Sequence, residues 1–499
     1  MAEKFRVLLI YPNTMMATLI PMGISVLYSC MKANDIEVRL FDTTYYKTEE
    51  KSFEEKRVEL LQLKKFDLSE GGVEYKQNDI YEDLKRMVED YRPDLIGITF
   101  VEDTYPLGLS LLKSIQEYLI PVIAGGVLVN FFANEIISED CIDMLCIGEG
   151  EEALVELCQA MAKGDNYRHI KNLWMKTGDG TIIKNPIRDL VNLDDLPFLD
   201  FDIFEPSRLC RPMQGELFTM LHVEMQRGCP FNCTYCAAPA IRKFYEDQSI
   251  NNYFRQKSPV RLIKELEHLV KKYKPNYINF GAESFLAMKT SAFLEFAKMY
   301  KEKVGLPFWC QTRLETITEE KVRALKDMNC ANMQFGIEQG NEKFRAVILN
   351  RKITNQKIID ALRIIEKHEI PYTVNNIIGF PGETRELIFD TINLNRQLNP
   401  KSINCYMFTP YRGTWLRDYC VKKGYLDKDA STMQSLDGAD IKYDTITKEE
   451  LYGLQRTFNL YVRFPENEFE LIKRAEKRDQ EGDKIFKRLS QIYNERYFS

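Results

Sequence analysis

Histidine is scarce in this chain: four in 499 residues, at His169, His222, His268 and His368. Long apolar runs are missing too. The longest, from Ile120 to Ile137, is broken by Pro121, Gly125, Gly126, Asn130 and Asn134, which suits a buried strand, a turn and a helix better than a membrane span. There is no basic surplus. The formal net charge is -6 and no long basic run occurs, so the chain has no general attraction to a phosphate backbone and a nucleic-acid partner is disfavoured. Met1-Ala-Glu-Lys-Phe-Arg6 leads straight into the strand-like Val7–Tyr11 without a secretory pattern. Twelve cysteines in such a chain point to reduced thiols and metal ligation in the cytoplasm. Nine of them, Cys30, Cys141, Cys146, Cys158, Cys210, Cys310, Cys330, Cys405 and Cys420, show no short spacing suited to a cluster and are expected as small buried hydrophobes. Cys310, at the end of a strand beside the expected cavity, is the exception to watch.

The remaining three do have that spacing. Cys229, Cys233 and Cys236 stand in the run Arg227-Gly-Cys-Pro-Phe-Asn-Cys-Thr-Tyr-Cys236. They bring three thiolates to one short loop, one fewer than a cubane iron–sulfur cluster takes, and leave one iron for a small chelating ligand. A zinc site or three unrelated thiols are the alternatives. Zinc wants a fourth Cys or His at short spacing, and His222 lies seven residues upstream on a strand-like segment. The run, including Tyr235 before the third cysteine, resembles the signature of radical S-adenosylmethionine (SAM) enzymes. That resemblance implies a [4Fe-4S] cluster on the three cysteines, with the amino and carboxylate groups of SAM on the open iron.

With 44% hydrophobic and 28% charged residues, the chain is a folded protein long enough for two or three domains. Residues 1–165 alternate between strand-like and helix-like segments. Arg6–Tyr11, Glu37–Phe41, Leu95–Phe100, Pro121–Ala124 and Met144–Ile147 read as strands, with helices between them. This alternation predicts an α/β domain with a doubly wound, flavodoxin-like parallel sheet. Ligands of such sheets sit beyond the carboxyl ends of the strands. The candidate residues there are Pro12, Pro21 and Gly23, then Asp42 and Thr43, Thr99 and Thr104, Gly125 and Gly126, and Gly148, Glu149 and Gly150, with the glycines allowing close backbone approach. The ordered set, placed ahead of the cysteine loop, resembles the cobalamin-binding domain of cobalamin-dependent radical SAM enzymes. The matching elements are Tyr11-Pro12, Pro21-Met-Gly23, Phe41-Asp-Thr-Thr44, Ala124-Gly-Gly126 and Gly148-Glu-Gly-Glu151. The resemblance implies bound cobalamin. No histidine lies in this domain, so the cobalamin is expected to lack a histidine lower ligand from it. The Glu/Lys-rich stretch from Lys47 to Asp79 is expected as a solvated helical excursion.

Residues 166–215 read as a linker with a small hairpin around Gly178–Gly180. Residues 216–425 alternate again. Strands are expected at His222–Gln226, Tyr277–Phe280, Phe308–Gln311, Met333–Ile337, Tyr372–Ile378 and Ser402–Phe408. Six strands with intervening helices predict a partial (β/α)6 barrel, with the cysteine loop at its carboxyl-end mouth. The resemblance adds SAM-binding candidates at other strand ends: Glu283, Gln311, Arg313, Glu338, and Ile378 with Gly379. Ala282 stands where relatives carry a first acid, and Gln339 where they carry serine. Residues 426–499 are expected as a helical region that caps the barrel and shapes the substrate entrance.

Reductive cleavage of SAM to a 5′-deoxyadenosyl radical is the implied chemistry, followed by methyl transfer through cobalamin to carbon or phosphorus of a small metabolite or peptide. A non-methylating rearrangement, cyclisation or oxidation is the alternative. An external reductant such as flavodoxin or ferredoxin is the implied partner.

Overall fold

A computed structural model of the chain describes residues 4–14, 19–213, 215–432, 435–438 and 440–498. The first sheet is built from β1 (Arg6–Tyr11), β2 (Glu37–Asp42), β3 (Leu95–Thr99), β4 (Val122–Gly125), β5 (Met144–Cys146), β6 (Leu173–Lys176) and β7 (Ile182–Lys184). Its strands lie in the order β2-β1-β3-β4-β5-β6-β7. Pairing is parallel from β2 through β5, and antiparallel where β6 and β7 join. The parallel part is the expected doubly wound sheet, which reverses direction between β1 and β3 and so opens a crevice there.

Two expectations change in this half. The hairpin assigned to the 166–215 linker is part of the first sheet, because β6 pairs with β5 through Met144–Met175 and Cys146–Leu173. The Lys47–Asp79 stretch is not a solvated excursion. A capping box, Ser52 with Glu55, starts a helix over Phe53–Glu59, and Ser52, Leu61 and Gln62 are buried. Its charge faced water in the sequence reading, but the segment that follows the helix docks against the second domain.

That second domain is a curled sheet. Its strands are β8 (Cys210–Met213), β9 (Glu216–Glu224), β12 (Tyr277–Gly281), β13 (Phe308–Thr312), β14 (Cys330–Glu338), β15 (Tyr372–Ile378) and β16 (Ser402–Met407). A short pair, β10 (Gln226–Arg227) and β11 (Arg255–Gln256), frames the loop beyond β9. The order is β16-β15-β14-β13-β12-β9-β8, parallel from β9 to β16, with β8 antiparallel on β9. This is the expected six-stranded partial barrel with one added edge strand. β9 begins six residues before the predicted start, because the hairpin to β8 draws Glu216–Leu221 into the sheet. Helices on its outer face start at side-chain caps: Ser258 ahead of Pro259, then Thr318, Thr354 and Thr384.

A partial barrel leaves an open seam along β16, whose backbone groups need partners. Side chains supply some of them. Gln62 donates to the Cys405 carbonyl at 2.9 Å. Asn459, on the helix Lys448–Arg463, donates to Leu61 at 2.7 Å and Ile403 at 3.2 Å. The C-terminal helices Lys448–Arg463, Phe469–Ala475 and Gln480–Tyr497 thus cover the side of the barrel along this seam. Asn459→Ala removes a buried donor from the Leu60, Leu61 and Ile403 carbonyls, and should lower stability by about 1–3 kcal/mol, read as a fall in the urea midpoint. Exposed Gln397→Ala should change it by no more than about 0.5 kcal/mol.

Candidate functional site

The cysteine loop has no regular structure of its own, and successive barrel strand ends hold it. Beyond β12, Glu283 accepts a hydrogen bond from the Gly228 N–H at 3.1 Å. Beyond β13, Arg313 donates to Cys233 Sγ at 2.8 Å while its guanidinium covers the Phe231 ring at 4.3 Å. At the end of β14, Glu338 accepts from the Tyr235 hydroxyl at 3.0 Å. Beyond β15, the Phe380 ring meets Tyr235 edge-on with centroids 6.0 Å apart. Beyond β16, Leu416 N–H donates to the Thr234 carbonyl at 3.0 Å. The structure therefore brings Cys229, Cys233, Cys236, Tyr235, Glu283, Arg313 and Glu338 to one mouth.

Burial raises the Cys229 and Cys236 thiols, the latter to about 12, while backbone N–H groups of Phe231 and Ala238 pull them the other way. The sulfurs also raise one another by proximity. Buried thiols facing backbone donors and one guanidinium fit ligands that become thiolates on metal binding.

Glu283 faces the mouth, and among the described residues no cation pairs with it. The mouth is enclosed by protein on most sides, and this desolvation raises the carboxyl to about 7. An unpaired carboxylate beside the cysteine loop fits the ammonium group of a ligand. Gln311 donates to the Ala282 carbonyl at 3.0 Å, next to Glu283. Gly379, with φ +82°, offers its N–H to Glu383 at 2.6 Å. A Cβ there would come within 2.8 Å of Leu451 and 3.0 Å of the Tyr443 hydroxyl. Ile378 is fully buried beneath this turn. Cys310 departs from expectation. It is buried on the helix-facing side of β13 beside Cys330, because Trp309 and Gln311 take the inward positions.

The first domain's strand ends meet this mouth. A cavity of about 290 Å³ is lined by Gly23, Thr99, Gly125, Gly126, Gly148, Glu149 and Gly150, and on the far side by Arg227, Tyr245 and Tyr253. Gly126 has φ +99°, and a Cβ there would lie 2.6 Å from the Phe100 carbonyl. At Gly148, φ +82°, a Cβ would lie 2.8 Å from the Tyr245 hydroxyl. Asn130 fixes that turn by accepting from the Gly148 N–H at 2.7 Å. The cavity's lining contains no histidine. A glycine cradle at the crevice of a doubly wound sheet would admit one arm of a corrinoid, the cavity being small beside a whole one.

Five candidates of this domain lie elsewhere. Pro12 is buried, and Pro21 precedes the helix Met22–Ala33. Asp42 accepts from Arg208 Nε at 2.8 Å and from Thr44, and Thr43 bonds to Asn13. These groups tie strand ends to neighbouring loops. Thr104 sits in the turn Glu102–Thr104, whose Glu102 pairs with Arg412 and Arg417 of the second domain. Glu149 lines the cavity but is engaged. It pairs with Arg227 at 2.8 Å and with Arg255, and although burial pushes its carboxyl up, the two guanidiniums bring it below the usual range.

Arg351 was not anticipated. It is 2% exposed and donates to Glu338 at 2.9 Å, to the Tyr235 hydroxyl at 3.2 Å and to the Gly336 carbonyl at 2.6 Å. Only its place in a loop thirteen residues after Glu338 was visible in sequence. Arg227, two residues before the first cysteine, was quoted in the motif but not singled out, and a charged residue there was a signal available to find it.

With this geometry in view, family models match two parts of the chain: the B12 binding domain over residues 13–158 and the Radical SAM superfamily over residues 223–394. An uncharacterized methyltransferase of Pyrococcus horikoshii is 29% identical over 352 residues, covering 69% of this chain and 73% of the relative. The anaerobic magnesium-protoporphyrin IX monomethyl ester cyclase of Cereibacter sphaeroides is 24% identical over 352 residues, covering 66% of this chain and 54% of the cyclase, so this chain matches little more than half of it. Among solved structures, the cobalamin-dependent SAM radical enzyme OxsB, with aqua-cobalamin and SAM bound, shares the fold. Its TM-score is 0.67 at 13% identity, over 99% of this chain and 71% of OxsB. Among the described residues no helix is long and apolar enough to cross a membrane. The chain thus joins a B12 binding domain to a radical SAM domain, and with them come the cofactors those families imply: a [4Fe-4S] cluster, SAM and cobalamin.

Proposed function

We propose that this enzyme is a methyltransferase that alkylates an unactivated carbon, or phosphorus, of a small metabolite or peptide. The observation that carries the reading is a shared wall. Arg227 lines the glycine cavity and also stands two residues before Cys229, so the two strand-end faces address one space. When bound, the cluster with SAM supplies reductive carbon–sulfur cleavage and hydrogen abstraction, and cobalamin supplies a transferable methyl group. The chain's part is to place both against one carbon and keep water out.

In this reading Cys229, Cys233 and Cys236 hold the cluster and Glu283 takes the SAM ammonium. Gln311, Glu338 and the Ile378-Gly379 turn line the rest of the SAM site, with Arg313 and Tyr235 keeping the loop in shape. Gly125, Gly126, Gly148 and Gly150 admit cobalamin. Electrons come from an external reductant such as flavodoxin or ferredoxin. The likeness to a cyclase favours a second reading, ring closure or oxidation without methyl transfer. A methylated product formed together with S-adenosylhomocysteine supports the first reading; 5′-deoxyadenosine without a methylated product supports the second.

Anaerobically reconstituted protein should carry about four irons per chain, and Cys233→Ala should abolish SAM cleavage under strong reductant. Cleavage that survives would refute the cluster ligands. Glu283→Gln should weaken SAM binding by about 1.5–3 kcal/mol, roughly 10- to 150-fold, in equilibrium dialysis, with cobalamin retention unchanged. Gly126→Val should do the opposite, losing cobalamin on gel filtration while SAM still binds, since its side chain would meet the Phe100 backbone.

A further inference from the structure

The interior of the barrel is polar. Barrel interiors are commonly filled by layers of Val, Ile and Leu, but here the inward positions carry Trp309 and Gln311 on β13, Asn332 and Gln334 on β14, and Asn404 and Tyr406 on β16. They enclose a chamber of about 610 Å³ that begins at the amino ends of the strands, opposite the cysteine loop, and rises to Gln311. Part of its amide lining is already joined. Gln334 donates to Asn375 at 2.8 Å, and Asn404 donates to the same oxygen at 2.9 Å.

The chamber is also positively charged. Among the described residues its lining holds four cations, Arg57, Lys64, Arg211 and Lys401, against one carboxylate, Glu216, in a protein whose net charge is -6. Arg57 enters from the docked helix of the first domain and donates to Asn404 at 3.1 Å. Neither it nor Arg211 forms an ion pair among the described residues. Arg211 has its guanidinium 5.8 Å from the Trp309 ring centroid, and its Nη1 is buried without a hydrogen-bond partner. Burial, with Arg57 nearby, lowers Arg211 to about 10, against the opposing charge of Glu54.

Beyond the chamber's lining, two residues on from Tyr277 along the same strand, Asn279 is paired with His222 across β9 and β12. His222 Nδ1 and both amide atoms of Asn279 are buried without partners. Burial lowers the imidazole to about 4, with Arg211 adding to the effect, so it is neutral at pH 7. Unpaired buried guanidinium, amide and imidazole groups are expensive unless ordered water or a ligand completes them.

We propose that this chamber binds the substrate by an anionic group, a carboxylate or a phosphate, set between Arg57 and Arg211 at the amino end of the barrel. The polar body of the substrate lies along the amides of Gln334, Asn404 and Gln311, and its reacting end points to the cysteine loop. The word substrate rests on the reading of the mouth as a radical site; the anion site does not. Chamber volume falls within the range of small-molecule sites, roughly 300–1,000 Å³. An uncharged polycyclic hydrocarbon would leave Arg57 Nε and Arg211 Nη1 without a partner, so the site selects against it.

Calorimetric titration of the reconstituted holoenzyme with inorganic phosphate and with succinate tests the proposal, with uncharged succinamide as comparator. At least one anion should bind and succinamide should not, and the preferred anion separates a phosphate-bearing from a carboxylate-bearing substrate. Arg57→Gln and Arg211→Gln should each weaken that binding about tenfold or more, with cobalamin retention showing that the variants are folded. Exposed Lys271→Gln should leave it unchanged. Should Arg211→Gln not fold, Arg57→Gln carries the test, and Arg57→Lys should restore most of the affinity. No binding of either anion, equal binding of succinamide, or unaltered affinity in the folded glutamine variants overturns the proposal. SAM cleavage by the wild-type protein is measured separately: its failure would sink the proposed function and leave the anion result standing.

Discussion

A guanidinium sealed away from water has to be paired, and at the barrel mouth Arg351 is paired three ways, to Glu338, to Tyr235 and to the Gly336 carbonyl. Those bonds reach both the end of β14 and the middle of the cysteine loop. They also sustain a backbone conformation that glutamate rarely adopts, because Glu338 has φ +68°, at a cost of about 1–3 kcal/mol. The fold-back is tight enough that a Cβ on Gly336 would clash with Glu338 Oε1. Breaking such a pair would strand a buried charge, so the loop, the strand end and the tyrosine hold their positions together. The cysteines inherit their placement from this arrangement and from Arg313.

The same logic joins the two domains. Relative motion is the default for domains on a linker unless the contact is extensive. Here Arg227 reaches Glu149, Glu151 and Glu224, and Arg255 shares Glu149. On the other side of the cleft Glu102 takes Arg412 and Arg417, and Phe131 lies against Gly413 so closely that a Cβ there would clash. Two clamps of buried charge flank the space between the sheets. The carboxyl ends of both sheets therefore face each other at fixed separation, which suits chemistry that passes a group from one cofactor to a carbon activated by another.

Both sheets were legible from alternation because parallel strands buried on both faces read as short apolar runs, as at Val7–Tyr11 and Leu95–Phe100. The cysteine loop was legible because ligand spacing is local. What escaped detection depends on partners distant in sequence. Glu49, Glu54, Glu55 and their lysines looked like a solvated surface, yet Arg57 and Gln62 from that stretch reach Asn404 and Cys405. The glycine-turn hairpin looked like a linker because nothing in Leu173–Lys184 states that β5 has an open edge. Asp42 and Thr43 looked like ligand contacts because strand-end polar residues usually serve that purpose, whereas Arg208 and Asn13 occupy them here.

A barrel with a polar interior cannot draw its stability from that interior, so the core has to lie outside the sheet. Behind β12 and β13, Phe280, Phe285, Phe296, Tyr300 and Phe308 form an aromatic cluster against the helix Thr290–Lys303. Its ring centroids lie 5.1 Å apart for Phe280–Phe285, 5.3 Å for Phe280–Phe308 and 5.4 Å for Tyr300–Phe308. Such pairs contribute about 0.5–1.5 kcal/mol each beyond the area they bury. The strands of this region thus carry two unrelated patterns on alternating residues. Phe308, Cys310 and Phe280 point outward to hold the shell, while Trp309, Gln311 and Asn279 point inward to meet a ligand. Period-two geometry makes this division available without cost to either face. It also explains why substitutions at the inward amides can change what is bound while the fold, secured on the other face, stays the same.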